Sequence, residues 1–162
     1  MSSPEIVSST SEPAFAVDLE GRIQAWNAAA EQLFGYPASE VLESCCWEVL
    51  AGRDLHGNDY CTKHCQLRQM AQQGRPVHPC VLVFRDAAGA PIEARVSLLV
   101  APGGRSSAPV FVHLLSPVDS GGQEASFRCV RADSRSARLS ERELEVLGRL
   151  AEGMGPRGKG TG

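Results

Sequence analysis

The sequence predicts an α+β fold built on one antiparallel sheet, and three features predict it. Runs with period-two apolar spacing open and close the first 118 residues: PAFAVDLEGRIQAWN at one end, then PCVLVFRD, PIEARVSLLVAP and PVFVHLLSPV at the other. Between them lie segments with helical caps and helical apolar spacing. Short polar or glycine turns join neighbouring strands, so the predicted order is β-β-α-α-α-β-β-β.

Each element has its own grounds. Residues 1–12, rich in Ser with Pro and Glu, read as a loose, flexible lead-in. Phe15 and Val17 alternate with small neighbours, Glu20-Gly21 makes a turn, and Ile23, Ala25 and Trp26 resume the apolar pattern. Asn27 is placed to cap the helix AAAEQLFG, since its side-chain oxygen can accept a backbone N–H. Leu33 and Phe34 give that helix an apolar face, and Gly35 suits its C-terminal end. Pro37 then leads into a second short helix, ASEVLE. Farther on, Cys65, Leu67 or Arg68, and Met70 or Ala71 recur at helical spacing before Gly74. The last three strands turn at Ala88-Gly89 and Gly103-Gly104. Within the middle one, Ile92, Ala94, Val96 and Leu98 alternate with Glu93, Arg95 and Ser97, as in a half-exposed antiparallel strand.

Bulk properties narrow the function classes. A chain of 162 residues suits one compact domain with a short appendage, and 43% hydrophobic with 22% charged residues is near the globular average. The formal charge of −3 confines any nucleic-acid contact to a local patch. No apolar run approaches the roughly 20 residues that span a bilayer, and MSSPEIVSSTSEP has no apolar signal region. The expectation is a cytoplasmic, non-membrane protein whose six cysteines are reduced thiols or metal ligands.

After residue 118 the composition shifts. DSGGQEAS reads as a linker, and FRCVRADSRSAR carries Arg128, Arg131, Arg135 and Arg138. If helical, those arginines share roughly one face, a phosphate-contacting stripe; a solvated linker is the plainer reading. Cys129 sits among these cations, which favour its thiolate. LSERELEVLGRLAEGMG then has a complete helix start: Ser140 and Glu143 as a capping box, Leu139 and Leu144 as a hydrophobic staple.

Two resemblances follow from these residues. FAVDLEGRIQAWNAAAEQLFGYPASEVLE, with its hairpin, Trp-Asn and Phe-Gly-Tyr, and the three strands closing in VFVHLLSPV, resemble a PAS sensory domain over residues 13–118. That resemblance implies a five-stranded antiparallel sheet with helices on one face, a sensory role and a homodimer. LSERELEVLGRLAEGM resembles the first helix of the LuxR-type helix-turn-helix of bacterial transcription regulators. In that family a scaffold helix and a groove-reading recognition helix follow. Here GPRGKGTG follows instead, so residues 139–162 read as an incomplete helix-turn-helix after a 119–138 linker. DNA binding is therefore expected only of an intact relative.

The densest chemistry is CCWEVLAGRDLHGNDYCTKHC, which places Cys45, Cys46, Cys61 and Cys65 within 21 residues together with His56 and His64. The PAS resemblance implies that this segment lines an internal cavity for haem, flavin, metabolites or clusters. Asn58-Asp59-Tyr60-Cys61 does not match the Asn-Cys-Arg-Phe-type motif of flavin photochemistry. For haem, His64, Cys61 and Cys65 are candidate axial ligands. For an iron–sulfur cluster or zinc, the candidate ligands are Cys45, Cys46, Cys61 and Cys65, with Cys61 and Cys65 four apart on one helix face. As cofactor-binding residues, Cys46, Cys61, His64 and Cys65 stand out. The Cys-Cys…Cys-x3-Cys spacing differs from both the usual cluster pairs and the Cys-x2-Cys zinc knuckle. Three readings stay open: a metal or cluster site, a reversible disulfide, or packing alone. Cys80, within PCVLVF, reads as a packing residue.

Catalysis finds little footing. The chain has no Gly-x-Ser-x-Gly elbow, no phosphate-cradling glycine loop and no HExxH. Cys61 and His64 lack an orienting partner and an oxyanion site. The expectation is a sensor rather than an enzyme. The alternative is a cofactor-free PAS adaptor that docks a partner protein.

Overall fold

The computed structural model describes residues 2–103 and 108–118. In chain order the elements are α1 (Ser3–Ser8), β1 (Ala14–Val17), β2 (Ile23–Trp26), α2 (Ala28–Phe34), α3 (Ala38–Val41), α4 (Cys46–Leu50), α5 (Gln66–Gln72), β3 (Cys80–Arg85), β4 (Pro91–Ala101) and β5 (Val110–Pro117). The 119–138 linker, the 139–162 segment with its capping box, the arginine stripe, Cys129 and Gly104 of the last turn lie outside the described residues.

All five strands join one antiparallel sheet in the order β2-β1-β5-β4-β3. The last strand enters between the first and the fourth, pairing Phe15 with His113 on one side and Leu98 with His113 on the other. The α+β class and the strand positions expected from periodicity are present. The cysteine segment contributes a further short helix, α4, which its mixed composition hid.

Asn27 explains how the first elements lock together. Its Oδ1 accepts from Ala30 N at 2.9 Å, capping α2, and from Ala14 N at 3.0 Å. Its Nδ2 donates to Val7 O at 3.1 Å and Glu12 O at 2.8 Å. Residues 1–12 thereby depart from the expected loose lead-in. They carry α1, started by a Ser2–Glu5 capping box, with Val7 only 1% exposed. The pair Ile6-Val7 is too short to show a period, so the Ser- and Pro-rich composition concealed it.

The sheet separates two cores. Phe15, Val17, Ile23, Phe111 and Leu115 meet the helical layer through Phe34, Val41, Leu50 and Leu67. Ala14, Ala16, Ala25, Val110 and Val112 form the other face with Val7 of α1. The small alanines let α1 approach the strands closely, so β1 is buried along its whole length. Helices thus cover one face through α2–α5, and α1 covers part of the other.

Both edges of the sheet are occupied by the cysteine-rich region. At β2, Ile23 N donates to Ser44 O at 2.9 Å and Glu43 N donates to Ile23 O at 2.8 Å. At β3, Arg53 and Val83 exchange two backbone hydrogen bonds of 2.8 Å. These pairings satisfy edge groups that would otherwise be open for strand addition. They also stretch residues 43–53 from one edge of the sheet to the other, across its helical face.

Candidate functional site

The thiols are delivered by three separate backbone features. Cys45 is the N-cap of α4, and Cys46 is the first helical residue, its N–H donating to Gly21 O at 3.0 Å. Cys61 stands in a turn, its N–H donating to Gly52 O at 2.9 Å. Its Sγ packs where Gly52 leaves room: a Cβ on Gly52 would lie 2.5 Å from Cys61 Sγ and 2.9 Å from the Phe84 ring. Cys65 is the N-cap of α5. The expectation that Cys61 and Cys65 share a helix face is therefore corrected. Helix α5 starts only at Gln66, and the four-residue spacing is spanned by a turn.

Cys46, Cys61 and Cys65 line one cavity in the core, together with His113 of β5. Apolar walls come from Phe15, Leu50, Leu67, Leu82, Phe84 and Val96. The enclosed volume is about 20 Å³, room for one water. All four clustered cysteines are free thiols. Burial pushes the Cys46 thiol up to about 12, reinforced by Cys65 and opposed by the Arg68 charge. Burial raises the Cys61 thiol further still, again reinforced by Cys65 and Cys46. Both are protonated at neutral pH.

The other two sequence candidates stand elsewhere. Cys45 is half-buried and does not line the cavity, and His64 is exposed, as is His56. The four-thiol set is therefore not brought together, because Cys45 and Cys46 are adjacent and diverge at the start of α4. Among the described residues, no three His, Cys, Asp or Glu side chains stand in an arrangement that holds a metal ion. A cavity this small also does not fit haem or flavin, which need a pocket of several hundred Å³. Cys80 is buried at the start of β3 and is disulfide-bonded, not the packing thiol its apolar neighbours suggested.

Sequence reasoning missed two site residues. His113 is 8% exposed and stacks flat on Phe15, ring centroids 4.5 Å apart and planes 5° from parallel. Its Nδ1 is buried without a hydrogen-bond partner. Burial depresses its pKa to about 4, against the Phe111 backbone and with the Arg68 charge, so the imidazole is neutral. The available signal was a lone polar residue between Phe111 and Leu115 in a strand buried on both faces. Arg68 is the second, 7% exposed on α5. Its guanidinium lies 5.7 Å from the Trp47 ring centroid, and Nη2 donates to Lys63 O at 2.7 Å. Nη1 is buried without a partner, and no carboxylate pairs with it among the described residues. Helical spacing had left Leu67 and Arg68 as alternatives; both are buried.

An antiparallel sheet in this order, with helices over one face and a small core cavity beneath them, is the PAS arrangement. The PAS fold family model matches residues 4–114, and the chain belongs to that family. Solved structures agree on the fold. The PAS domain of an HTR-like protein from Haloarcula marismortui is 19% identical, with a TM-score of 0.51 over 71% of this chain and 93% of that one. A Rhodobacter sphaeroides LOV protein is 17% identical, with a TM-score of 0.58 over 74% of this chain and 67% of that one. A search of curated proteins gave no match. No helix among the described residues is long and apolar enough to cross a membrane.

Proposed function

We propose that this chain is the signal-sensing PAS module of a LuxR-type transcription regulator, and that its core cavity governs the DNA binding of a helix-turn-helix output. The carrying observation is the polar lining of an apolar core: three free thiols and a neutral imidazole meet one cavity. Pure packing is served better by Leu or Val, which bring no polar atoms needing partners. The LuxR-type signature LSERELEVLGRLAEGM supports DNA as the output, with sequence-specific contact belonging to proteins that carry the complete helix-turn-helix. The module works without catalysis, in the cytoplasm, as a homodimer. Binding in the cavity biases α4 and the sheet between two arrangements, and residues 119–138 pass that bias on. The one-water size of the cavity favours the second reading, a cofactor-free PAS adaptor that docks a partner.

The test joins residues 1–138 to an intact LuxR-type helix-turn-helix and reads a promoter reporter in aerobic, anaerobic, metal-replete and metal-starved cells. Sensing predicts an output that changes with condition and is silenced by Cys61→Ser with Cys65→Ser. An output constant in every condition, and indifferent to that double variant, overturns it in favour of the adaptor.

A further inference from the structure

A cleft of about 280 Å³ lies at the β3 edge of the sheet, between the loop that follows α4 and the β3–β4 turn. Strand register sets its composition. Arg53 and Val83 pair across the edge through two backbone hydrogen bonds. Along β3, Cys80, Leu82 and Phe84 are buried in the helical core, so Val81, Val83 and Arg85 face the other way. Arg53, Val83 and Arg85 therefore project on one side, with the two arginines at diagonal positions about 7–8 Å apart. Leu55 and Pro91 complete the walls. Leu55 is 51% exposed, one of the few large apolar side chains left in water.

Both walls are fixed by the same device. Asp54 Oδ1 accepts from His56 N and Asn58 N, each at 2.9 Å, and closes the 54–58 loop. Asp86 Oδ1 accepts from Ala88 N at 2.9 Å and Ala90 N at 2.7 Å, and closes the turn after β3. The carboxylate that follows each arginine in sequence is thus turned to the N–H groups of its own loop. Asp59 pairs with Arg53 at 3.1 Å, but with side chains 46% and 73% exposed such a bridge is weak and exchanges readily. The Arg85 guanidinium has no carboxylate partner among the described residues.

We infer that this cleft docks an acidic segment of a partner protein, which brings a carboxylate between Arg53 and Arg85 and lays an apolar side chain on Leu55 and Pro91. Like charges on neighbouring strands repel unless an anion lies between them. A guanidinium holds a carboxylate through two parallel hydrogen bonds, which fixes the orientation of the segment as well as its charge. Arginine beside exposed apolar side chains is also the composition of protein-binding surfaces. A small molecule is the poorer occupant, because the cleft falls below the roughly 300–1,000 Å³ of pockets that bury one. A nucleic-acid backbone would meet the two charges but leave Leu55 and Pro91 in water. Docking here stands whether or not the core cavity senses a signal, and it supplies the adaptor reading with a surface and a partner chemistry.

The test uses the full chain, labelled with nitrogen-15, and a fluorescein-labelled peptide of Glu and Asp around one central Leu. Its counterpart with Gln and Asn is the control. Anisotropy should show that the acidic peptide binds, that the amide version does not, and that added salt weakens the complex. Amide resonances of residues 51–57 and 83–91 should shift while those of α1 and α2 stay. Arg85→Glu should weaken binding by about tenfold or more, and Leu55→Ser should weaken it as well. Both side chains are exposed, so the fold survives their loss. Arg75→Glu makes the same charge change at an exposed position just beyond α5 and should leave binding intact. No binding overturns the inference, as do shifts elsewhere in the chain or an equal loss with Arg75→Glu. Inorganic phosphate or an oligonucleotide that gives the same shifts, indifferent to Leu55→Ser, also overturns it and leaves a plain anion site. The promoter reporter and the peptide are read separately, so the cleft and the sensory reading can each fail alone.

Discussion

His113 lies flat against Phe15, its ring centroid 4.5 Å away and its plane within 5°, in the middle of the sheet where β1 and β5 pair. An imidazolium at that position would lose its hydration, a loss that the Phe111 backbone offsets only in part and the Arg68 charge adds to, so burial depresses the pKa to about 4. Unfolded, His113 binds a proton near its ordinary 6.5. Between those values the unfolded chain holds more protons than the native one, so stability rises with pH. It is fully present above about 6.5 and is lost as pH falls toward 4, by roughly 3 kcal/mol from this group. Carboxylates titrate in part of the same window, so the measurement is a difference. Urea unfolding of the chain at several pH values, beside His113→Gln, should show the variant with a flatter profile. Parallel profiles would mean that His113 is solvated in the native state.

Gly52 sets where the Cys61 sulfur sits. A methyl group there would press on Cys61 Sγ and on the Phe84 ring, both already packed in the core. Gly52→Ala should therefore destabilise by about 1–3 kcal/mol, the usual cost of overpacking. It should also turn Cys61 out of the cavity and speed its reaction with a thiol reagent. Thermal melting and mass-resolved alkylation read the two effects. An unchanged Cys61 rate would show that Phe84, not Cys61, yields.

The parts of this molecule that were legible in its sequence are those where local chemistry and tertiary packing agree. The hairpin around Gly21, the Asn27 cap and the alternation of β4 are examples: each is decided by neighbours a few residues away. The site was legible only in part. Cys46, Cys61 and Cys65 could be named from their clustering, yet Cys45, next to Cys46, lies off the cavity because it caps α4 while Cys46 starts it. His113 is 48 residues beyond Cys65, and only the insertion of β5 between β1 and β4 brings it to the thiols. Strand order of that kind is non-local, and no residue in VFVHLLSPV states it. Residues 1–12 failed for a related reason. Val7 is held by the side chain of Asn27, 20 positions away.

That long-range hold can be tested directly. Asn27→Ala removes the cap on α2 and leaves the N–H of Ala14 and the carbonyls of Val7 and Glu12 without their partner. Loss of the cap costs about 1 kcal/mol and stranded buried groups add 1–3 more, so a total of roughly 3 kcal/mol is expected. Its signature should be regional. Hydrogen exchange should quicken first in α1, and protease should cut within residues 1–12, before the sheet is affected. Uniform loss across α1 and β5 would instead mean that α1 and the sheet unfold as one unit.

The clustered thiols should differ sharply in reactivity, and in an order opposite to the one their clustering suggests. Only the thiolate attacks an alkylating reagent, and burial holds the Cys46 thiol at about 12 and Cys61 higher. At neutral pH the Cys46 thiolate is roughly a thousandfold scarcer than that of an ordinary thiol, before access is considered. Cys45 caps α4 and does not line the cavity. Under native conditions, iodoacetamide should label Cys45 first, with Cys46 and Cys61 following only as fast as the core opens. Denaturant should erase the order. Rapid native labelling of Cys46 would mean that α4 already leaves its seat often in the resting protein.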